Sequence, residues 1–190
     1  MSQTVEVLKQ NLGPSVKRWR LVNRVKQEAL ALDLGVSQSM ISRWESGRTE
    51  PEGRERSRLV RIVLARPSTA ADKALLELVS ASADRVHLVC DLTHRLLAVS
   101  PARAREWHAP VSALKGTSLW SFASDGIQEA EHRLDAAGWF EPHAPDIVFQ
   151  TERADFTAMT IPESRVKITR VPLSDGSYAR LVRAVEVAAA

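Results

Sequence analysis

The 190-residue chain holds a single cysteine, Cys90, a single tyrosine, and eight glycines that never cluster. One thiol cannot build an internal disulfide framework, which suits a reducing cytoplasm. No apolar run approaches the roughly 20 residues needed to cross a bilayer, so no membrane partner is expected. The first ten residues, MSQTVEVLKQ, have no apolar core behind a basic start, so no secretory signal is expected either. A glycine-rich phosphate loop, a nucleophile elbow and carboxylates spaced around a histidine are all missing, which argues against an enzyme. His87, His94, His108, His132 and His143 are scattered without metal-ligand spacing. No metal and no cofactor is therefore expected, and His132 is the one histidine to consider as a haem ligand.

What is present is unevenly distributed. Hydrophobic residues make up 44% of the chain and charged residues 26%, an ordinary globular balance. Residues 1–66 carry 13 Lys+Arg against 7 Asp+Glu, whereas the remainder carries 13 against 16. A basic front and an acidic back suggest a polyanion-binding part and a second part with another task.

The front reads as helices. Val16, Trp19 and Val22 stand at helical spacing within 11–24, and residues 1–10 could add a turn or two. A second helix over 26–34 would turn Ala29, Leu30 and Leu34 inward, with Gly35 at its C-terminal cap. Ser37 is placed to cap a third helix over 38–46, with Met40, Ile41 and Trp44 as its apolar positions. Pro51 is placed to open a fourth helix over about 52–65 that includes Leu59, Ile62 and Val63. Trp19 and Trp44 are read as core. A linker at 66–69, around Pro67, precedes a helix over 70–83.

The stretch KQEALALDLGVSQSMISRWESGRTEP, residues 26–51, resembles the helix-turn-helix of the Cro/XRE-type (phage-repressor) family. Gln27, Ala31, Gly35, Ser37, Ile41, Glu45, Gly47 and Pro51 stand at that family's spacing, and the resemblance extends over about 11–65. It implies that the third helix enters the major groove of duplex DNA. Gln38, Ser39, Ser42 and Arg43 would then face base edges. Gln27 would brace Gln38, and Ser37, Arg48, Lys26, Lys17 and Arg18 would contact phosphates. Arg20 and Glu45 fall where the family has an ion pair, worth no more than about 1 kcal/mol if exposed to solvent. Arg54, Arg56, Arg58 and Arg61 depart from the usual apolar fourth helix; they either add phosphate contacts or solvate one face.

Behind residue 84 the texture changes. VHLVC (86–90) and RLLAVS (95–100) read as a hairpin, short helical pieces follow around 103–115 and 118–123, and a longer helix covers 126–138. Three strands, 146–151, 165–173 and 177–187, close the chain, the last two joined at Asp175-Gly176. This order, with CDLTHRLLAVSPA (90–102), the step Gly116-Thr117-Ser118-Leu119-Trp120 and the Asp91…Ser100 pair, resembles a PAS domain. The resemblance implies a five-stranded antiparallel sheet around a small cavity, with the 70–83 helix serving dimerisation. Trp107, Trp120, Phe122, Trp139 and Phe149, with Phe140, are candidates to line such a cavity; read alone they are simply core aromatics.

The expected fold class is α+β: an all-α helix-turn-helix domain (1–66), a linker and connecting helix (67–84) and a PAS-like domain (85–190). The expected function is a sequence-specific regulator of transcription, a dimeric repressor that binds a palindromic duplex operator as a homodimer and senses an unidentified small molecule. The alternative is an antitoxin-like interaction protein that uses the same motif to control its own operon.

Overall fold

The computed structural model describes residues 12–141 and 143–185; the expected turns at 1–10 lie outside them. The described residues fold as two units, 12–64 with 140–141, and 65–139 with 143–185.

The first unit is helical: α1 (Leu12–Val22), α2 (Gln27–Leu34), α3 (Gln38–Glu45) and α4 (Gly53–Val63). Its core is Leu12, Val16, Leu30, Ala31, Leu34, Ile41, Trp44, Leu59 and Val63, all buried. Two expectations need correction. Ala29 is exposed and Ala31 takes the inward position, because Leu30 and Leu34 fix the buried stripe and Ala31 lies beside it at helical spacing. Trp19 is only half-buried. Pro51 is buried in the loop ahead of α4, which begins at Gly53 after Glu52. One glycine is required by contact: a Cβ on Gly13 would stand 1.9 Å from the Trp44 carbonyl oxygen, so α1 and α3 touch backbone to backbone there.

The second unit has the α+β architecture expected for it. A five-stranded antiparallel sheet runs in the order β2-β1-β7-β6-β3, built from β1 (Val86–Cys90), β2 (Leu96–Val99), β3 (Ile147–Thr151), β6 (Ser164–Pro172) and β7 (Tyr178–Val185). Between β2 and β3 lie α6 (Pro101–Ala104), α7 (Val111–Leu114), a 3-10 turn (Leu119–Phe122) and α8 (Asp125–Arg133). A two-stranded ribbon, β4 (Ala154–Asp155) and β5 (Thr160–Ile161), was not anticipated. Helix α8 stops at Arg133, short of the expected 138. The chain turns instead through Gly138 at φ 74°, and the Trp139 N–H returns to the Leu134 carbonyl.

Helix α5 (Ala70–Ala81) packs on β1 and β2. Strand alternation puts Val86, Leu88 and Cys90 on one sheet face and His87 and Val89 on the other. Asp72 ties α5 to the β6–β7 turn: its carboxylate accepts from the backbone N–H of Ser68, Thr69 and Ser174 and from the Ser174 hydroxyl. Those donors, the Ser68 and Ser174 N–H foremost, hold its carboxyl well below the ordinary carboxylate range.

Candidate nucleic-acid interface and cavity

Two caps set the geometry of α2 and α3. Gly35, at φ 73°, ends α2 and returns its N–H to Ala31 and Leu32, a left-handed turn that glycine adopts without strain. Ser37 then caps α3, its hydroxyl accepting from the Met40 N–H. Ile41, Trp44 and Glu45 face inward from α3, while Gln38, Ser39, Ser42 and Arg43 are exposed on its other side. Ser37, Lys26, Lys17 and Arg48 are exposed around that surface, and Arg18 and Gln27 are half-buried. Of the α4 arginines, Arg58 donates to the Asp33 carbonyl at 2.5 Å.

A continuous chain of hydrogen bonds runs from the interior to Gln38. Arg20 donates to Glu45 through Nε (2.8 Å) and Nη2 (2.9 Å). Gln27 Nε2 donates to Glu45 Oε2 at 2.7 Å, and Gln38 Nε2 donates to Gln27 Oε1 at 2.5 Å. The carboxylate settles both amide orientations, since an ionised Glu45 only accepts. Gln27 must turn its NH2 to Glu45 and its oxygen to Gln38, so Gln38 must answer with an N–H. That leaves Gln38 Oε1 and a second N–H for an outside partner. The Glu45 side chain is only 3% exposed, so its pairing with Arg20 is buried rather than at the surface. The Glu45 hydrogen bonds raise the Arg20 pKa above its ordinary value.

Residues 16–61 match the helix-turn-helix family. They form a Cro/XRE-type helix-turn-helix domain. Over 45 residues the chain is 44% identical to an uncharacterised HTH-type transcriptional regulator of Archaeoglobus fulgidus. That match spans 24% of this chain and 20% of the relative, so the chain covers about a fifth of the relative's length.

In the second unit, a cavity of about 120 Å³ lies between the sheet and the segments that follow β2. Trp107, Trp120, Phe122 and Phe149 line it, together with Met159 and Ile168. Trp139 does not, which corrects the expectation. It is fully buried beneath Arg180, its indole N–H donating to both Asp91 oxygens at 3.1 and 3.2 Å. A buried indole needs an acceptor, and Asp91 supplies it. Phe140 is likewise absent from the lining, and His132 is exposed on α8. Asp91 and Ser100 do not pair: Ser100 donates to the Asp84 carbonyl and caps α6.

The sequence reading missed the polar part of the lining, His87, His94, Arg103, Glu106 and Arg180. His87 alternates with Leu88 along β1, and that period-2 position was the available signal. Burial first, and the positive charge of Arg103 second, push its imidazole down to about 3, so it is neutral. Arg103 donates to Glu106 at 2.6 Å and to the Arg85 carbonyl at 3.1 Å. Arg180 donates to Asp91 at 2.9 Å and to Glu131 at 2.6 Å. Burial works against its charge, but the two carboxylates outweigh it and hold the guanidinium above its ordinary value. His94, at φ 55°, stacks on Trp120 with 4.8 Å between rings, its Nε2 lying 3.4 Å from Glu131. No group of three or more His, Cys, Asp and Glu side chains suited to a metal ion occurs among the described residues.

Solved structures similar to this chain include a PAS domain of an HTR-like protein from Haloarcula marismortui. It is 17% identical with a TM-score of 0.39, and the match covers 62% of this chain and 92% of that one. A sensory box sensor histidine kinase from Vibrio cholerae is 13% identical, with a TM-score of 0.38 and coverages of 62% and 94%. An RNA-binding Light-Oxygen-Voltage receptor is 11% identical, with a TM-score of 0.42 and coverages of 97% and 60%.

Proposed function

We propose that the protein is a sequence-specific regulator of transcription that binds duplex DNA through α3, and that its second unit dimerises and holds a small molecule. The observation that carries this reading is the braced Gln38. An exposed glutamine on a helix is ordinarily a solvated residue, but this one is held by a relay that ends on a buried ion pair. An amide with one oxygen and one N–H free matches the N6–H and N7 edge of adenine. Arg43, five residues on, can pair bidentately with guanine, and Ser39 and Ser42 are exposed on the same helix. Arg48, Lys26, Lys17 and Arg18, with Ser37, would contact phosphates and set register without reading sequence.

Repression as a homodimer on a palindromic operator fits the same geometry, with half-sites about one helical turn apart or a multiple of it. Helix α5 offers a surface for the dimer: Leu78 is 71% exposed there, and Ala71 and Ala74 are exposed beside it. The test is selection of sites from random DNA with the full chain, followed by titration at several salt concentrations. The expected result is a two-fold symmetric site whose affinity falls steeply with salt as phosphates release counterions. Salt-independent binding, or no enriched sequence, would refute it.

A further inference from the structure

We propose that the cavity of the second unit selects a small, uncharged, single-ring aromatic compound carrying one hydroxyl group, its ring among the apolar side chains and its hydroxyl against His87 and Arg103. This rests on reading the cavity as a small-molecule site, and it adds the chemistry of the occupant.

Size comes first. The cavity measures about 120 Å³, and one of roughly 150 Å³ lined by apolar side chains is enough to hold benzene. At slightly less than that volume and partly open to the outside, the cavity can enclose at most a single ring, with anything larger standing at its mouth. Phe122, Phe149, Met159 and Ile168 give the ring apolar and edge-on partners.

Charge comes second. Both arginines on the lining already have carboxylate partners within the protein, Arg103 the Glu106 that it shares with Arg85, and Arg180 both Asp91 and Glu131. An anionic ligand would lose its hydration without gaining a free cation, and a cationic one would meet guanidinium groups, so both are disfavoured against a neutral one.

Hydrogen bonding comes third. His87 Nδ1 and Arg103 Nε are buried with no hydrogen-bond partner in the protein, and Arg103 is near enough for its charge to act on the imidazole. Unpartnered buried polar atoms are uncommon and costly. A neutral imidazole accepts from an O–H while a guanidinium Nε–H donates to the same oxygen, so one hydroxyl answers both.

The test is calorimetric titration of the full chain with phenol, toluene and benzoate near pH 7, where phenol is uncharged. Phenol should bind more than about tenfold tighter than toluene, since its hydroxyl makes two hydrogen bonds and one is to a charged group, and benzoate should bind more weakly than phenol. His87→Leu should lower the phenol-to-toluene ratio several-fold, mainly by weakening phenol, with the remainder held by Arg103. Val182→Phe, which fills the cavity from β7, should abolish binding of both while leaving the melting transition in place. Equal affinity for phenol and toluene in the unaltered protein, or preference for benzoate, would overturn the chemical class while leaving a binding cavity. Binding of none of the three would overturn the class and the cavity reading together.

Discussion

The Arg20–Glu45 pair invites a quantitative test, because its location decides its worth. At an exposed position such a pair contributes about 0.2–1 kcal/mol. Here the Glu45 side chain is 3% exposed and that of Arg20 is 13% exposed, the contact is two-pronged at 2.8 and 2.9 Å, and a third donor arrives from Gln27 at 2.7 Å. Removing Glu45 strands a half-buried guanidinium, and removing one partner of a fully buried pair costs about 3–5 kcal/mol. Some solvent still reaches Arg20, so about 3 kcal/mol is expected for Glu45→Ala. The measurement is a double-mutant cycle with Arg20→Ala, Glu45→Ala and both, using urea denaturation of the full chain followed by circular dichroism. A coupling of about 2 kcal/mol or more is expected, because the two residues touch. A coupling below about 0.5 kcal/mol would mean the pair behaves as a surface contact and that the relay to Gln38 has no rigid root.

Other perturbations follow from the same structure. Gly13→Ala should destabilise the first unit by about 2 kcal/mol through overpacking. An alanine in an open helix would instead gain about 1 kcal/mol, so the sign of the change in urea midpoint tests the contact between α1 and Trp44. Arg180→Met should cost about 4 kcal/mol, since it leaves Asp91 and Glu131 buried without their cation; a loss under about 1 kcal/mol in thermal unfolding would contradict the buried cluster. His87 sets a pH dependence. Its folded pKa of about 3 lies below the unfolded value of 6.5, so the unfolded chain binds the extra proton and stability falls as pH drops below 6.5. At pH 5 the loss is about 2 kcal/mol, at about 1.36 kcal/mol per unit. His87→Leu should remove that part of the pH profile, and an unchanged profile would count against the buried neutral imidazole.

The helices of the first unit were legible in the sequence because their signals are local. Gly35 and Ser37 mark the turn between α2 and α3, and Ile41 and Trp44 mark the buried side of α3. The Arg20–Glu45 pair could be anticipated only through family resemblance, since 25 residues separate the two, and its burial could not be anticipated at all. The β1–β2 and β6–β7 hairpins were legible from apolar runs and from Asp175-Gly176, whereas β4 and β5 are two residues each and too short to carry a period. The polar cluster of the second unit was not legible for a related reason. Asp91 and Arg180 are 89 residues apart and Glu131 and Arg180 are 49 apart, and nothing local announces such a pairing. Trp139 looked like a cavity aromatic because composition cannot tell an indole that lines a void from one whose N–H is held by a buried carboxylate.

The claim on which the functional account stands is that Gln38, fixed by Gln27, reads a base. The direct measurement is the preference at each operator position for the unaltered protein, Gln38→Ala and Arg48→Ala, taken from the same randomised DNA pool. The account expects Gln38→Ala to lose about 1–3 kcal/mol of discrimination at one base pair in each half-site, while Arg48→Ala weakens all sequences about equally. Unchanged preference and affinity in Gln38→Ala would contradict it.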